Sequence, residues 1–226
     1  MIVTISQPRF LPWMGYMKRI AASELFIYLD NVQYSPRDWE NRNKIKTNVG
    51  WVWLTVPVKA RYGALIPEVT IDNSQSWQEK QWKTIQTCYS RAPFFKAYAQ
   101  RFEIIYQQPW ETLTNLNLAI TEMLCECLGI KGNFVMASDM NVEGRGSELL
   151  LSICEAVKAT SYISGPLGRE YLDTKAFDEA GIEIIYDDYQ HPVYKQMYGD
   201  FQPYMAVIDL LFNYGPKSKN ILFQDS

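Results

Sequence analysis

The sequence predicts an α/β fold, a Rossmann-like parallel sheet that carries a β-hairpin and a helical insertion. Three observations point to it: the chain opens strand, helix, strand; residues 134–186 alternate strand and helix again; and the apolar spacing between these stretches is that of helices. A single α/β domain over residues 1–226 is expected, with the hairpin at about 41–58 and the insertion at about 74–130.

Each element follows from local pattern. Ile2 to Ser6 is a short β-type run, Tyr16 to Ala22 carries a helical mix, and Leu25 to Leu29 makes a second strand closed by Asp30. Such a start predicts a site at the carboxyl edge of the sheet. NRNKIK and WVWLTVPVK flank TNVG, where Asn48 and Gly50 supply turn geometry for a hairpin. From Ser74 to Leu128 three helices follow one another, marked by Trp82, Ile85 and Tyr89, then Phe95, Phe102 and Ile105, then Leu113, Leu116, Ile120 and Leu124. Pro93 and Pro109 fall at their junctions. Their aromatic stripe reads as a buried helix face rather than a ligand cage. Strands are expected again at 134–137, 161–164 and 183–186, with helices at 147–159 and 174–180.

Composition narrows the class. Of the 226 residues, 47% are hydrophobic, enough for a real core, and the net charge of -3 argues against a dedicated nucleic-acid binder. No apolar run reaches the length of a membrane span, and the first residues lack a signal-peptide pattern, so a cytoplasmic protein without membrane insertion is expected. The four cysteines, Cys88, Cys125, Cys127 and Cys154, have no metal-like spacing and read as reduced core thiols. With one histidine, His191, a His-rich zinc site is excluded and no metal ligands are assigned.

Several stretches carry polar groups where ligands bind. In QPRFLPWMGY, Gln7 ends the first strand, Pro8 fixes the path, Gly15 permits close backbone approach, and the next helix begins with free N–H groups suited to an anion. A rigid loop whose Phe10, Leu11 and Trp13 plug the core is the alternative. In NRNKIK, strand alternation puts Arg42, Lys44 and Lys46 on one face and Asn43 on the other. Three cations suit a nucleotide diphosphate; lysines guarding a sheet edge are the other explanation. Asp30, Gln33 and Arg37 just upstream favour a site. EGRGSE places Ser147 at a helix start, as a cap or an anion nest, and ISGPLGREY brings Ser164 and Gly165 to the same sheet edge. His191 follows Asp187 and Asp188, which would raise its pKa if close and suit it to acid–base work.

Together QPRFLPWMGY, FIYLDNVQYSPRDWENRNKIK, WLTVPV, GSELLLSICEAVKATSYISGP, AGIEIIYDDYQHPVY and IDLLFNYGPKS resemble the WbqC-like family over nearly the whole chain. That resemblance implies a place in bacterial surface-polysaccharide synthesis and a nucleotide-linked amino sugar as substrate. Two departures stand out: Ser6 occupies a place where the family often has histidine, and Lys80–Gln81 stands where a Lys–His pair is expected. More distantly, PWMGY is similar to the HxGH motif of nucleotidyltransferase-like enzymes, with Trp13 and Tyr16 in place of its histidines. This implies nucleotide binding and an ATP-activated acyl group.

The leading expectation is therefore an enzyme forming an amide on a nucleotide-linked amino sugar, with ATP and Mg²⁺ or acetyl-CoA activating the acyl donor. Arg42, Lys44 and Lys46 would hold phosphates, Gln7, Asp30 and Asn43 would orient the substrate, Tyr16 would line the site, and His191 would relay a proton. A non-catalytic nucleotide-sugar binding or scaffold protein is the alternative, and a homodimer is expected in either case.

Overall fold

The structure is a computed structural model that describes residues 1–223. In chain order its elements are β1 (Ile2–Ser6), α1 (Met14–Ala22), β2 (Leu25–Tyr28), β3 (Arg42–Thr47), β4 (Gly50–Thr55), β5 (Val58–Lys59), β6 (Thr70–Ile71), α2 (Trp77–Tyr89), α3 (Phe95–Gln107), α4 (Leu113–Leu128), β7 (Phe134–Met136), α5 (Ser147–Ala156), β8 (Ser161–Ser164), α6 (Thr174–Glu179), β9 (Glu183–Tyr186), α7 (Ile208–Tyr214) and α8 (Ser218–Leu222).

A five-stranded sheet in the order β7-β2-β1-β8-β9, parallel at every pairing, is the frame. The chain winds outward from β1 through β2 to β7, then crosses back to β8 and β9 on the other side. Between β1 and β8 the order reverses, and there the carboxyl ends of the strands open a crevice.

Strand alternation gives the sheet two buried faces, as parallel sheets require. Val3, Ile5 and Ile27 point to one face, covered by Leu149, Leu150, Ile153 and Cys154 of α5 and Phe177 of α6. Phe26 and Tyr28 point to the other, which they share with Tyr16, Met17 and Ile20 of α1 and with the α2–α4 insertion. Each of these aliphatic or aromatic side chains contributes roughly 1.5–3 kcal/mol by leaving water. The predicted insertion is present as α2, α3 and α4; Thr112 caps α4 by accepting from the Asn115 N–H at 3.3 Å, and Gly129 ends it in the left-handed conformation, φ 63°.

The hairpin β3–β4 is paired Lys44 to Trp53 and Lys46 to Trp51 around the Asn48–Val49 turn. It is tied down on two sides. The Asn43 amide donates to the Leu11 carbonyl at 2.6 Å, and the Ala206 N–H donates to the Lys44 carbonyl at 2.8 Å. The first bond fixes β3 to the β1–α1 loop, and the second fixes it to the irregular segment before α7. All four thiols are free and their pKa values are raised by burial, in line with core cysteines. Among the described residues no helix is long and apolar enough to cross a membrane.

Candidate functional site

A cavity of about 680 Å³ occupies the crevice at the point where the strand order reverses. Ser6 and Gln7 at the end of β1, Leu29 after β2, and Gly165 to Gly168 after β8 form its floor and one wall. Gly146, Leu149 and Leu150 at the start of α5 line it with Tyr162 and Tyr171, as do Trp13, Trp39, Lys44 and Tyr204. Arg9 and Arg19 also line it.

The two arginines dominate its electrostatics. Both Nε atoms are buried without a hydrogen-bond partner, and each guanidinium lies within the other's field. Burial, more than any neighbour, lowers the Arg9 pKa below its ordinary value, although Asp38 and Glu40 partly offset it. Arg19 reaches the crevice because helical side chains tilt toward their helix N-terminus, here the carboxyl edge of the sheet. Gly165 makes room for it: a Cβ there would stand 2.8 Å from Arg19 Nη1. Unpartnered guanidinium donors of this kind favour an anion, which would relieve the repulsion and take the free donors.

Of the residues singled out from sequence, Gln7, Lys44 and Gly165 line the cavity. The others lie elsewhere, each for a physical reason. The three cations of β3 share a face as expected but separate in role, because the tryptophans of β4 fill that face. Arg42 stacks over Trp53 at 4.3 Å and Lys46 is buried, its Nζ donating to the Asp200 carbonyl, so neither is among the lining residues. Asn43 is committed to the Leu11 carbonyl and the Lys44 N–H. Asp30 is 1% exposed and accepts from the Ser138 N–H at 2.9 Å, which fixes the chain after β7. Pro8 is buried, and the Tyr16 hydroxyl donates to the Gln7 carbonyl at 3.1 Å, holding the β1–α1 loop. The open side of Gly15 is taken by the Trp13 indole, 2.4 Å from where a Cβ would be, so the close approach there is a side chain's. Gln33 bridges to Leu65, and Arg37 is exposed with φ 64°. The Ser147 hydroxyl accepts from the Asp173 N–H, and the Ser164 hydroxyl donates to the Gly165 carbonyl. At the start of α5 it is Gly146 that faces the cavity.

His191 corrects an expectation outright. Its pKa is lowered, by burial, not raised; Asp188 is engaged instead in a bidentate pair with Arg169 at 2.6 and 2.7 Å. The imidazole sits among Tyr189, Tyr194, Phe201 and Tyr204, with Nδ1 3.0 Å from the Pro192 carbonyl. Tyr204 and Trp13 stand in the cavity wall, and His191 packs behind them.

The family comparison is decisive for kinship: the model of the WbqC-like protein family matches residues 7–221. The chain belongs to the WbqC-like family. It is also 38% identical over 224 residues to Uncharacterized protein Rv1507c of Mycobacterium tuberculosis, covering 97% of this chain and 96% of that relative. No solved structure matches it. Within this WbqC-like chain the two departures noted from sequence fall in different places. Ser6 lines the cavity; Gln81 is buried in the insertion, donating to the Thr55 carbonyl at 2.8 Å and accepting from the Tyr106 hydroxyl at 3.1 Å.

Sequence reading missed Arg9, Arg19, Trp13, Trp39 and Tyr204 as site residues. A usable signal existed for the first two: Arg9 lies in the β1–α1 loop and Arg19 on α1 itself, both in a unit already placed at the sheet edge. None existed for Trp39 and Tyr204, which irregular segments bring in.

Glu40 lies in Arg9's field and gives a pH test. Burial raises its pKa from 4.5 to about 7, against the Ser35 N–H it accepts and the pull of Arg9. The folded state then holds more protons than the unfolded chain between pH 4.5 and about 7, so this group makes stability fall as pH rises through that window. Glu40→Gln, which keeps an acceptor for Ser35, is expected to remove that decline, up to about 3 kcal/mol at neutral pH, and to change little below pH 4.5. Denaturant melts of both proteins from pH 4 to 8 check it; parallel curves would reject it.

Proposed function

We propose that this protein binds a nucleotide-linked amino sugar in the cytoplasm and acts in bacterial surface-glycan (O-antigen, lipopolysaccharide) biosynthesis by forming an amide on the sugar's amino group. The observation that carries the reading is the unpartnered Arg9–Arg19 pair at the sheet's switch point, a setting suited to a diphosphate. Family membership supports the pathway. Lys44 adds a third cation, and Gln7 offers an amide for hydroxyls of the sugar.

In amide formation the amine nitrogen attacks an acyl carbon, the C–N bond forms, and either AMP or the CoA thiol leaves as a proton is released. An acyl donor activated by ATP with Mg²⁺, or carried by CoA, supplies the electrophile. The cationic cavity suits the phosphates of either donor. Among the described residues no cluster of three or more His, Cys, Asp or Glu could hold a metal ion, so Mg²⁺ would arrive with its phosphates. Guanidinium groups near the acyl carbon would stabilise the oxyanion that develops there.

One observation favours a second reading. Neither histidine nor carboxylate is among the residues lining the cavity, and Ser6 stands there instead. Without a general base in reach, the protein would be a non-catalytic nucleotide-sugar carrier or scaffold of the same pathway. Thermal melts with ATP–Mg²⁺, acetyl-CoA and sugar nucleotides separate the two. A ligand at a hundred times its Kd adds about 2.7 kcal/mol. Stabilisation by an acyl-donor nucleotide as well as by the sugar nucleotide is the enzyme's result; stabilisation by the sugar nucleotide alone is the carrier's. Indifference to all of them would reject both.

A further inference from the structure

Two unlike groups of residues line the cavity. Gly146, Leu149 and Leu150 at the start of α5 line it together with Tyr162 and Tyr171, whereas the tryptophans Trp13 and Trp39 line it with Tyr204 and Lys44. In the second group Trp13 is held by Tyr189 at 5.1 Å and by Tyr204 at 5.7 Å, and Trp39 is held by Trp53 at 5.6 Å. These rings are braced edge to face or tilted, so they form a fixed aromatic wall.

Lys44 is the unusual member. Its ammonium sits 5.0 Å from the Trp51 ring, 5.7 Å from Trp53 and 5.8 Å from Trp39. Indole faces attract a cation but offer it no hydrogen-bond acceptor. Lys44 Nζ therefore keeps its donors while its position is fixed, beside flat rings in the cavity wall. A planar ring stacked there would profit most if it presented carbonyl oxygens to Lys44.

We propose that this tryptophan-lined, Lys44-bearing part is the nucleobase subsite and that it favours a 2,4-dioxopyrimidine, uracil or thymine, over adenine, with the diphosphate between Arg9 and Arg19 and the amino sugar toward α5. The assignment rests on the nucleotide-sugar reading above and names the nucleotide class for it. Adenine stacks as well as a pyrimidine but offers Lys44 only ring nitrogens as acceptors, whereas uracil and thymine each present two carbonyl oxygens. Gly146, Leu149, Leu150 and the exposed ring of Tyr171 suit a sugar, whose apolar C–H face packs on aliphatic and aromatic surfaces alike.

The test is calorimetric titration of the full chain with inorganic pyrophosphate, UDP, dTDP and ADP, repeated for Lys44→Met and Trp39→Leu. Binding of UDP or dTDP at least about tenfold tighter than ADP is expected. Lys44→Met should erase that preference, and Trp39→Leu should weaken all three nucleotides toward pyrophosphate. UDP against dTDP tells whether the ribose 2′-hydroxyl or the thymine methyl matters. If ADP binds as tightly as UDP in the unsubstituted protein, or Lys44→Met keeps the preference, the nucleobase assignment is overturned while pyrophosphate binding leaves the phosphate site standing. If neither pyrophosphate nor any nucleotide binds, both readings fall together.

Discussion

Arg9→Met is expected to make the ligand-free protein more stable and, at the same time, to cost it most of its affinity for a phosphate-bearing ligand. The two signs have one cause. Net of every neighbour, the surroundings of Arg9 disfavour its charge, since burial outweighs Asp38 and Glu40 and Arg19 adds repulsion. Replacing such a charge by a hydrophobic side chain of similar length removes that cost and should raise the melting temperature of the ligand-free protein. The same charge, once a phosphate sits between the two guanidiniums, becomes half of a desolvated ion pair. Removing it should reduce affinity by roughly a hundredfold or more. Arg9→Lys keeps the charge without the planar fork and should fall between. Melting curves without ligand and titrations with pyrophosphate or a sugar nucleotide give both signs; a destabilised variant that binds normally would make Arg9 a structural residue.

That combination marks a functional trade. A fold gains nothing from two neighbouring guanidiniums with unsatisfied Nε atoms, so the pair points to a partner that arrives from outside. His191, by contrast, has the ordinary character of a packed aromatic neighbour, and its lowered pKa follows from that packing.

The sheet was legible because its signals are local. Val3, Ile5, Phe26 and Ile27 alternate or run apolar within single strands, and α5 repeats Leu149, Leu150, Ile153 and Cys154 on one face. The three helices of the insertion announce themselves by period and by the prolines between them. The site was legible only in outline. Strand alternation correctly placed Arg42, Lys44 and Lys46 on one face, but which of them meets the cavity depends on Trp51 and Trp53 across the hairpin and on Asp200, more than a hundred residues away. Asn43 and Asp30 looked like substrate ligands because polar residues at sheet edges often are. Here they accept or donate to backbone groups of other segments, and the sequence has no mark for such long-range bonds. The C-terminal helices α7 and α8 went unassigned for the same reason: each is short, and long-range contacts hold α7 in place.

Asp209 shows how far those contacts reach, and its removal is the largest loss of stability expected in the molecule. It lies in the first turn of α7, fully buried, with Oδ2 accepting from the Tyr89 hydroxyl at 2.8 Å and Oδ1 from the Tyr194 hydroxyl at 2.9 Å. Tyr89 in turn accepts from the Lys46 N–H at 3.0 Å, so one carboxylate joins α2, the hairpin and the C-terminal segment. Its pKa is raised by burial, against the pull of both tyrosines, Gln196 and Lys46. Asp209→Ala leaves two buried phenols unsatisfied beside a cavity and should cost about 3–5 kcal/mol, or roughly 10 °C in melting temperature. Asp209→Asn keeps the volume and one acceptor and should lose clearly less. The two variants also separate stability from binding. Lys44 lies on the strand that this network holds, but its cavity contacts are with tryptophans, so Asp209→Asn at a temperature where it is folded should bind ligand nearly as well as the unsubstituted protein. A loss of affinity comparable to that of Arg9→Met would instead make the network part of the site, and a loss of stability below about 1 kcal/mol in Asp209→Ala would mean that the tyrosine hydroxyls find water.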